Sequence, residues 1–299
     1  MQFSCVFTAI LLAMQGIGLV RCEHGGEKDD IIDLSYPFDG NTLFWPGQDP
    51  FVQTIGYRGS TGNSWYETNS FQMGEHTGTH LDAPAHFSEG KQRVDAIPKE
   101  HFIGPGVKVD ISSKASTNPD ALLEVEDLMA WEKTNGDIPE GAILMVFTGW
   151  GKFYPDRASY FGSDRNDTYI DANGTSLLHF PGISPDAADW LIGNRDVVGV
   201  GIDTPSLDYG QSTTFSTHVK LMDENIYGLE NVANLDNMPT SGSTVYALPM
   251  HIKDGSGAPV RIFAIVGDTD TNGVMKSRHS ATFCLFISIA LIVYNQYLN

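Results

Sequence analysis

Basic residues are scarce in this chain. Lysine and arginine number 18 against 37 aspartates and glutamates, a formal net charge of −19. A surface that acidic repels phosphate backbones, which argues against nucleic acid as a partner. The charge names no substrate, because acidic surfaces mostly serve solubility. Cysteine is nearly absent as well. Cys5, Cys22 and Cys284 are the full set, so no disulfide framework can form between residues 23 and 283. Stability there rests on apolar burial, for which 41% hydrophobic residues in a 299-residue chain are adequate, and on any bound metal. The chain also lacks internal repeats, low-complexity linkers and a Gly-x-Ser-x-Gly elbow, and the last disfavours a serine-nucleophile hydrolase.

The long apolar runs lie at the two ends. Phe3 to Val20 is apolar without an acidic residue and ends near Gly18 to Cys22, which reads as a secretory signal peptide over residues 1–22. A membrane anchor is the rival reading. Ala281 to Tyr294 is short for a span of about 20 residues. Lys276, Arg278 and His279 precede it and no basic residue follows, so a span entered after a signal peptide would run against the positive-inside tendency. A removable lipid-anchor signal over residues 268–299, with Asn272-Gly273 or Ser277 near the attachment point, fits better than a span, and an edge helix or a poorly spanning tail is the alternative. Two sequons, Asn166-Asp-Thr168 and Asn173-Gly-Thr175, suggest a glycosylated, exposed loop. Together these place the protein in the secretory pathway, outside the cell or on its surface.

Between the ends, residues 29–267 read as one strand-rich α/β domain. Val107–Ile111, Ala142–Phe147, Val197–Ile202 and Val260–Val266 are predicted strands, three of them near-continuous apolar runs of the kind buried on both faces. Helices are expected over Ala121–Lys133, ended by Gly136, from Ser184-Pro185 through Ile192, and from about Thr217 to Asn225.

Three of the nine histidines fall in the eleven residues His76-Thr-Gly-Thr-His80-Leu-Asp82-Ala-Pro-Ala-His86. Residues 76, 80, 82 and 86 share parity, so an extended segment would put them on one face. A straight segment would separate His76 from Asp82 by roughly 20 Å. Ligands to one ion sit about 2.0–2.2 Å from it. The segment must therefore bend, and Gly78 and Pro84 permit that. Imidazoles with a carboxylate suit Zn²⁺ or Mn²⁺.

This segment resembles the signature of the cyclase family, which includes bacterial-type kynurenine formamidases and isatin hydrolases. The resemblance extends to Phe44-Trp45-Pro46-Gly47, where Gln48 replaces the family's usual acidic residue, to Thr148-Gly149-Trp150, to His179-Phe180-Pro181-Gly182 and to Gly201 through Ser206, then to His218 and Glu230. It implies a swivelling β/β/α fold and a homodimer. It implies a first metal on His76, His80 and Asp82, with Asp82 bridging to a second completed by His218 and Glu230, one or two divalent ions in all. His86 matches the family's catalytic histidine. Phe44, Trp45 and Trp150 are candidates for an aromatic wall around an aryl substrate, or for core and dimer contacts. Ser206 and Asp208 either orient ligands or form a turn.

The leading functional expectation is metal-dependent hydrolysis of a small aryl amide, arylformamidase-like, with N-formylkynurenine of tryptophan catabolism as the family's familiar substrate. Cyclic amide opening of the isatin kind is the enzymatic alternative. A non-catalytic cell-surface binding protein on the same fold is the third.

Overall fold

The computed structural model describes residues 30–267. The expected signal segment, the C-terminal tail and all three cysteines lie outside the described residues. Among the described residues no helix is long and apolar enough to cross a membrane.

The strands are β1 (Asp30–Asp33), β2 (Val52–Thr61), β3 (Ser64–Gln72), β4 (His80–Asp82), β5 (Ile103–Asp110), β6 (Leu122–Leu123), β7 (Ala142–Phe147), β8 (Gly182–Ile183), β9 (Val197–Ile202), β10 (Tyr227–Glu230), β11 (Ser243–Pro249) and β12 (Gly257–Val266). The main sheet runs β1-β12-β11-β5-β7-β9-β10-β4, and β4 pairs back onto the start of β12. Seven strands thus close into a barrel, with β1 laid antiparallel along the far end of β12. Strands β5, β7, β9 and β10 are mutually parallel. Helices α1 (Ser112–Ala115), α2 (Val125–Asn135), α3 (Arg157–Phe161), α4 (Pro185–Asn194) and α5 (Ser216–Asp223) complete the strand-rich α/β domain.

Side-chain alternation explains why β7 reads as an unbroken apolar run. Ala142, Leu144 and Val146 face outward onto Leu128 and Trp131 of α2, Ala187, Ala188 and Leu191 of α4 and Leu221 of α5. Ile143 and Met145 face inward, where Leu81, Tyr227, Leu229, Val245 and Ile262 fill the barrel. The glycines of β9 make room for that filling: a Cβ on Gly199 would lie 2.4 Å from the Tyr227 ring, and one on Gly201 would lie 2.4 Å from the Met145 sulfur.

The four expected strands and three expected helices are present, and the remaining strands add to them. The helix expected from Ala121 begins at Val125, because Leu122 and Leu123 pair with Gly182 and Ile183 and a Glu124–Asp127 capping box starts the helix after them. The β2–β3 hairpin was not expected from the sequence. It stands out from the domain with nearly every residue exposed.

A third apolar cluster lies outside the barrel. Leu43, Trp150, Tyr160, Phe161, Leu178 and Phe180 form it, with Trp45 and Tyr169 packed against it. Loops distant in sequence meet there and build one wall of the site described next. Asn166 and Asn173 are both exposed on the same stretch.

Candidate metal centre

The site starts from β4. His80 and Asp82 are two residues apart on a strand and so face the same way, while Leu81 points into the barrel. Antiparallel pairing sets Glu230 of β10 opposite His80. The bend before β4 is at Gly78, whose φ of +63° suits glycine and whose missing Cβ leaves space for Phe38 and Thr42. That bend returns His76 to the cluster. Beyond β4, Pro84 opens a 3₁₀ turn that ends on His86. His218 arrives on the first turn of α5.

The donors converge on Asp82. Its Oδ1 lies 2.5 Å from His76 Nδ1 and 3.2 Å from His80 Nε2, and its Oδ2 lies 3.3 Å from His218 Nε2. Glu230 lies 3.4 Å from His80 Nε2 through one oxygen and 2.9 Å from His218 Nε2 through the other. Two ligand groups result, His76/His80/Asp82 and Asp82/His218/Glu230, and Asp82 belongs to both. Atoms each about 2.0–2.2 Å from one ion lie within about 4.4 Å of each other, and these contacts satisfy that.

Each imidazole also has its second nitrogen held. His80 Nδ1 donates to the Gly78 carbonyl at 2.9 Å, and His218 Nδ1 donates to Asp208 at 2.7 Å. Asp208 also accepts the backbone N–H groups of Thr217 and His218, so it caps α5 and orients the ring together. Phe215, at the N-cap, has a φ of +50°, an uncommon conformation for a bulky residue.

The electrostatics test whether a cation fits. Burial alone would raise the Asp82 carboxyl, yet the imidazoles of His76 and His80 outweigh it and hold Asp82 well below the usual range. Burial likewise opposes charge on His80, but Asp82 and Glu230 lift it to about 10. His218 is raised for the same kind of reason, by Asp208, Asp82 and Glu230. Two buried carboxylates demand positive charge at this spot, and nitrogen and carboxylate donors suit a divalent ion of the zinc or manganese type. The donor set fits the metal.

One cavity of about 240 Å³ holds both the donor cluster and an aromatic wall. Phe44, Trp45, Phe87, Phe161, Tyr169 and Phe215 line it, with Gln48, His86, Ser206 and Asn231. Trp45 packs 5.5 Å from Tyr169 and 6.0 Å from Phe215 between ring centroids. The Arg157 guanidinium stacks on the Phe44 and Phe161 rings at 4.6 Å and braces two wall residues. Phe44, Trp45 and Ser206 therefore line the cavity. Trp150 does not: its indole N–H donates to the Tyr160 carbonyl and its backbone N–H to Asp203, which fix the ring in the core. Phe87, Phe161, Tyr169, Phe215 and Asn231 were missed by the sequence reading.

The family model described as putative cyclase matches residues 32–209. Isatin hydrolase of Roseibium aggregatum is 32% identical over 210 residues, covering 68% of this chain and 76% of that protein. Kynurenine formamidase of Salinibacter ruber is 29% identical over 236 residues, covering 77% and 95%. The solved structure of isatin hydrolase A from Labrenzia aggregata bound to benzyl benzoate superposes with a TM-score of 0.71 at 32% identity, over 79% of this chain and 93% of that one. The fold, the donor cluster and these relationships lead to one conclusion: the chain belongs to the cyclase family and is a metal-dependent hydrolase related to both isatin hydrolase and kynurenine formamidase.

Proposed function

We propose that the protein hydrolyses an amide on an aromatic ring, as an arylformamidase acting on N-formylkynurenine does. The observation that carries the reading is the single cavity in which aromatic side chains face the His/Asp/Glu cluster across a space sized for one aryl group. When bound, a divalent ion supplies a nucleophile at neutral pH by acidifying water, and it polarises a carbonyl oxygen. The chain's own residues do the rest. The wall of Trp45, Phe161, Tyr169 and Phe215 holds the ring and excludes water. His86 lies beside the cluster, and burial drives its imidazole down to about 4, so it is uncharged at neutral pH and able to take a proton. It accepts the proton of the attacking water and delivers it to the departing nitrogen as the C–N bond breaks, releasing formate and an arylamine.

Opening of a cyclic amide of the isatin kind is the second reading, favoured by the higher identity to isatin hydrolase, 32% against 29%. It uses the same groups, but the nitrogen stays tethered to the product. Turnover of a matched panel, formanilide, N-formylkynurenine, isatin and an unstrained lactam, separates the readings. Formamide turnover without isatin turnover supports the first, and the reverse supports the second. Stable binding without turnover of any member supports a binding protein on this fold and overturns both.

We further propose a homodimer joined through the β2–β3 arm. Both faces of that ribbon carry exposed apolar groups: Ile55, Trp65 and Phe71 on one, Val52, Tyr57 and Tyr66 on the other. An isolated two-stranded hairpin is marginal in water, so the arm calls for cover. Its only charged residues, Arg58 and Glu67, pair with each other. On a chain of net charge −19 such a neutral strip is where a second copy meets the least repulsion. Secretion, glycosylation at Asn166 and Asn173, and a C-terminal lipid anchor complete the proposal; both asparagines are exposed as modification requires.

A further inference from the structure

His76 differs from the other two clustered imidazoles. His80 and His218 each turn Nε2 toward the carboxylates and anchor Nδ1 behind. His76 does the reverse: Nδ1 faces Asp82 Oδ1 at 2.5 Å, and Nε2 lies 3.1 Å from the Ser256 hydroxyl. Behind Ser256 stands Glu75. One of its oxygens lies 2.8 Å from the Ser256 hydroxyl and also accepts the backbone N–H groups of Ser256 and Gly257, at 2.9 and 3.2 Å.

The direction of this chain follows from what each group can do. An ionised carboxylate only accepts hydrogen bonds. The Ser256 hydroxyl hydrogen is therefore committed to Glu75, which leaves the serine oxygen as an acceptor. It can satisfy His76 only if Nε2 carries a hydrogen. Neutral imidazole carries one such hydrogen, so Nδ1 keeps its lone pair, aimed at Asp82. A lone pair against a carboxylate at that distance is repulsive unless a cation sits with them: without metal that is a proton on Nδ1, and a divalent ion takes the proton's place while Nε2 keeps its hydrogen. Packing holds the ring in its place: a Cβ on Gly257 would fall 2.5 Å from His76 Cε1, so the ring occupies space that only glycine leaves.

We infer that Glu75 and Ser256 are positioning residues that lock His76 as the Nε2–H tautomer, making it an Nδ1 ligand while His80 and His218 bind through Nε2. Glu75 directly precedes His76, whereas Ser256 stands 180 residues from it, at the entry to β12, where Gly257 pairs with Asp82. Groups of this kind typically contribute about 10–100-fold to metal affinity.

This inference rests on the metal reading, and the test keeps the two apart. Full-length protein labelled with ¹⁵N-histidine is loaded with Zn²⁺, and long-range ¹⁵N–¹H spectra identify the zinc-bound and protonated nitrogens of His76. Zinc on Nδ1 with a proton on Nε2 is the expected result, and zinc on Nε2 overturns the inference. Chelator competition then measures zinc affinity: Ser256→Ala is expected to weaken it by about 10–100-fold, and Ser256→Thr, which keeps the hydroxyl, to restore it. Wild-type affinity in Ser256→Ala also overturns the inference. Should that variant not fold, the wild-type spectrum decides alone. A protein that takes up no zinc or manganese at all defeats the metal reading itself.

Discussion

His86 stacks on His76, with ring centroids 3.8 Å apart and planes 23° from parallel. The contact places an uncharged imidazole against the donor cluster while keeping it out of both ligand groups. Substitution of His86 therefore separates catalysis from metal binding. His86→Ala is expected to keep its metal and to lose about 10²–10⁴-fold in amide turnover. Substrates with better leaving groups should lose less, because their nitrogen needs less protonation on departure. Metal stoichiometry and turnover on one formanilide, measured side by side, check this. Loss of the metal would make His86 a ligand, and unchanged turnover would remove it from the mechanism.

Asp82 turns one oxygen to His76 and His80 and the other to His218. Its removal should affect both ligand groups together. Asp82→Ala is expected to fall to less than one ion per chain by elemental analysis, with activity lost. His218→Ala should disturb only the second group and leave one tightly held ion. Full metal content in Asp82→Ala would show that the carboxylate bridges nothing.

How far these residues could be read in advance depended on their spacing. His76, His80, Asp82 and His86 were legible because the ligand set is compressed into one bent segment with its own glycine and proline. The long apolar strands were legible because β7 and β9 are covered on both faces. Asp208 was half legible, since a carboxylate after a strand end serves equally in a turn. Ser256 and Glu75 were not, because the serine meets its histidine only when β12 closes the barrel against β4. Trp150 stayed open for a related reason: an aromatic beside a motif has the same sequence signal whether its ring lines a cavity or fills a core. The β2–β3 arm had no apolar alternation to find, because neither of its faces is buried.

The arm also carries the expected oligomeric state. Trp65→Ser with Phe71→Ser should convert a dimer into a monomer in sedimentation velocity, and the zinc content should stay unchanged because neither residue touches the cluster. Ile55→Ser alone should raise the dissociation constant by a smaller factor. A wild-type chain that sediments as a monomer at micromolar concentration would remove the arm from this role.

Asp203 offers a pH dependence that involves no metal ligand. Burial pushes its carboxyl up to about 6, although the backbone and hydroxyl of Thr148 donate to it at 2.9 and 2.6 Å and the Trp150 N–H at 3.1 Å. The unfolded chain binds that proton less readily, with a reference value of 3.8. Between the two values the folded state holds more protons, so this group's contribution is fully present below about 3.8 and is lost as pH rises through about 6. The difference between 3.8 and about 6 corresponds to about 3 kcal/mol. Asp203→Asn removes the titration while keeping the shape, at a pH-independent cost from the weakened acceptor. The stability difference between wild type and variant, read from urea unfolding at pH 3 through 8, should therefore move in favour of the variant by about 3 kcal/mol as pH rises. Curves that stay parallel across this window would mean that the Asp203 carboxyl is ionised in the fold throughout, held by its three donors rather than governed by its burial.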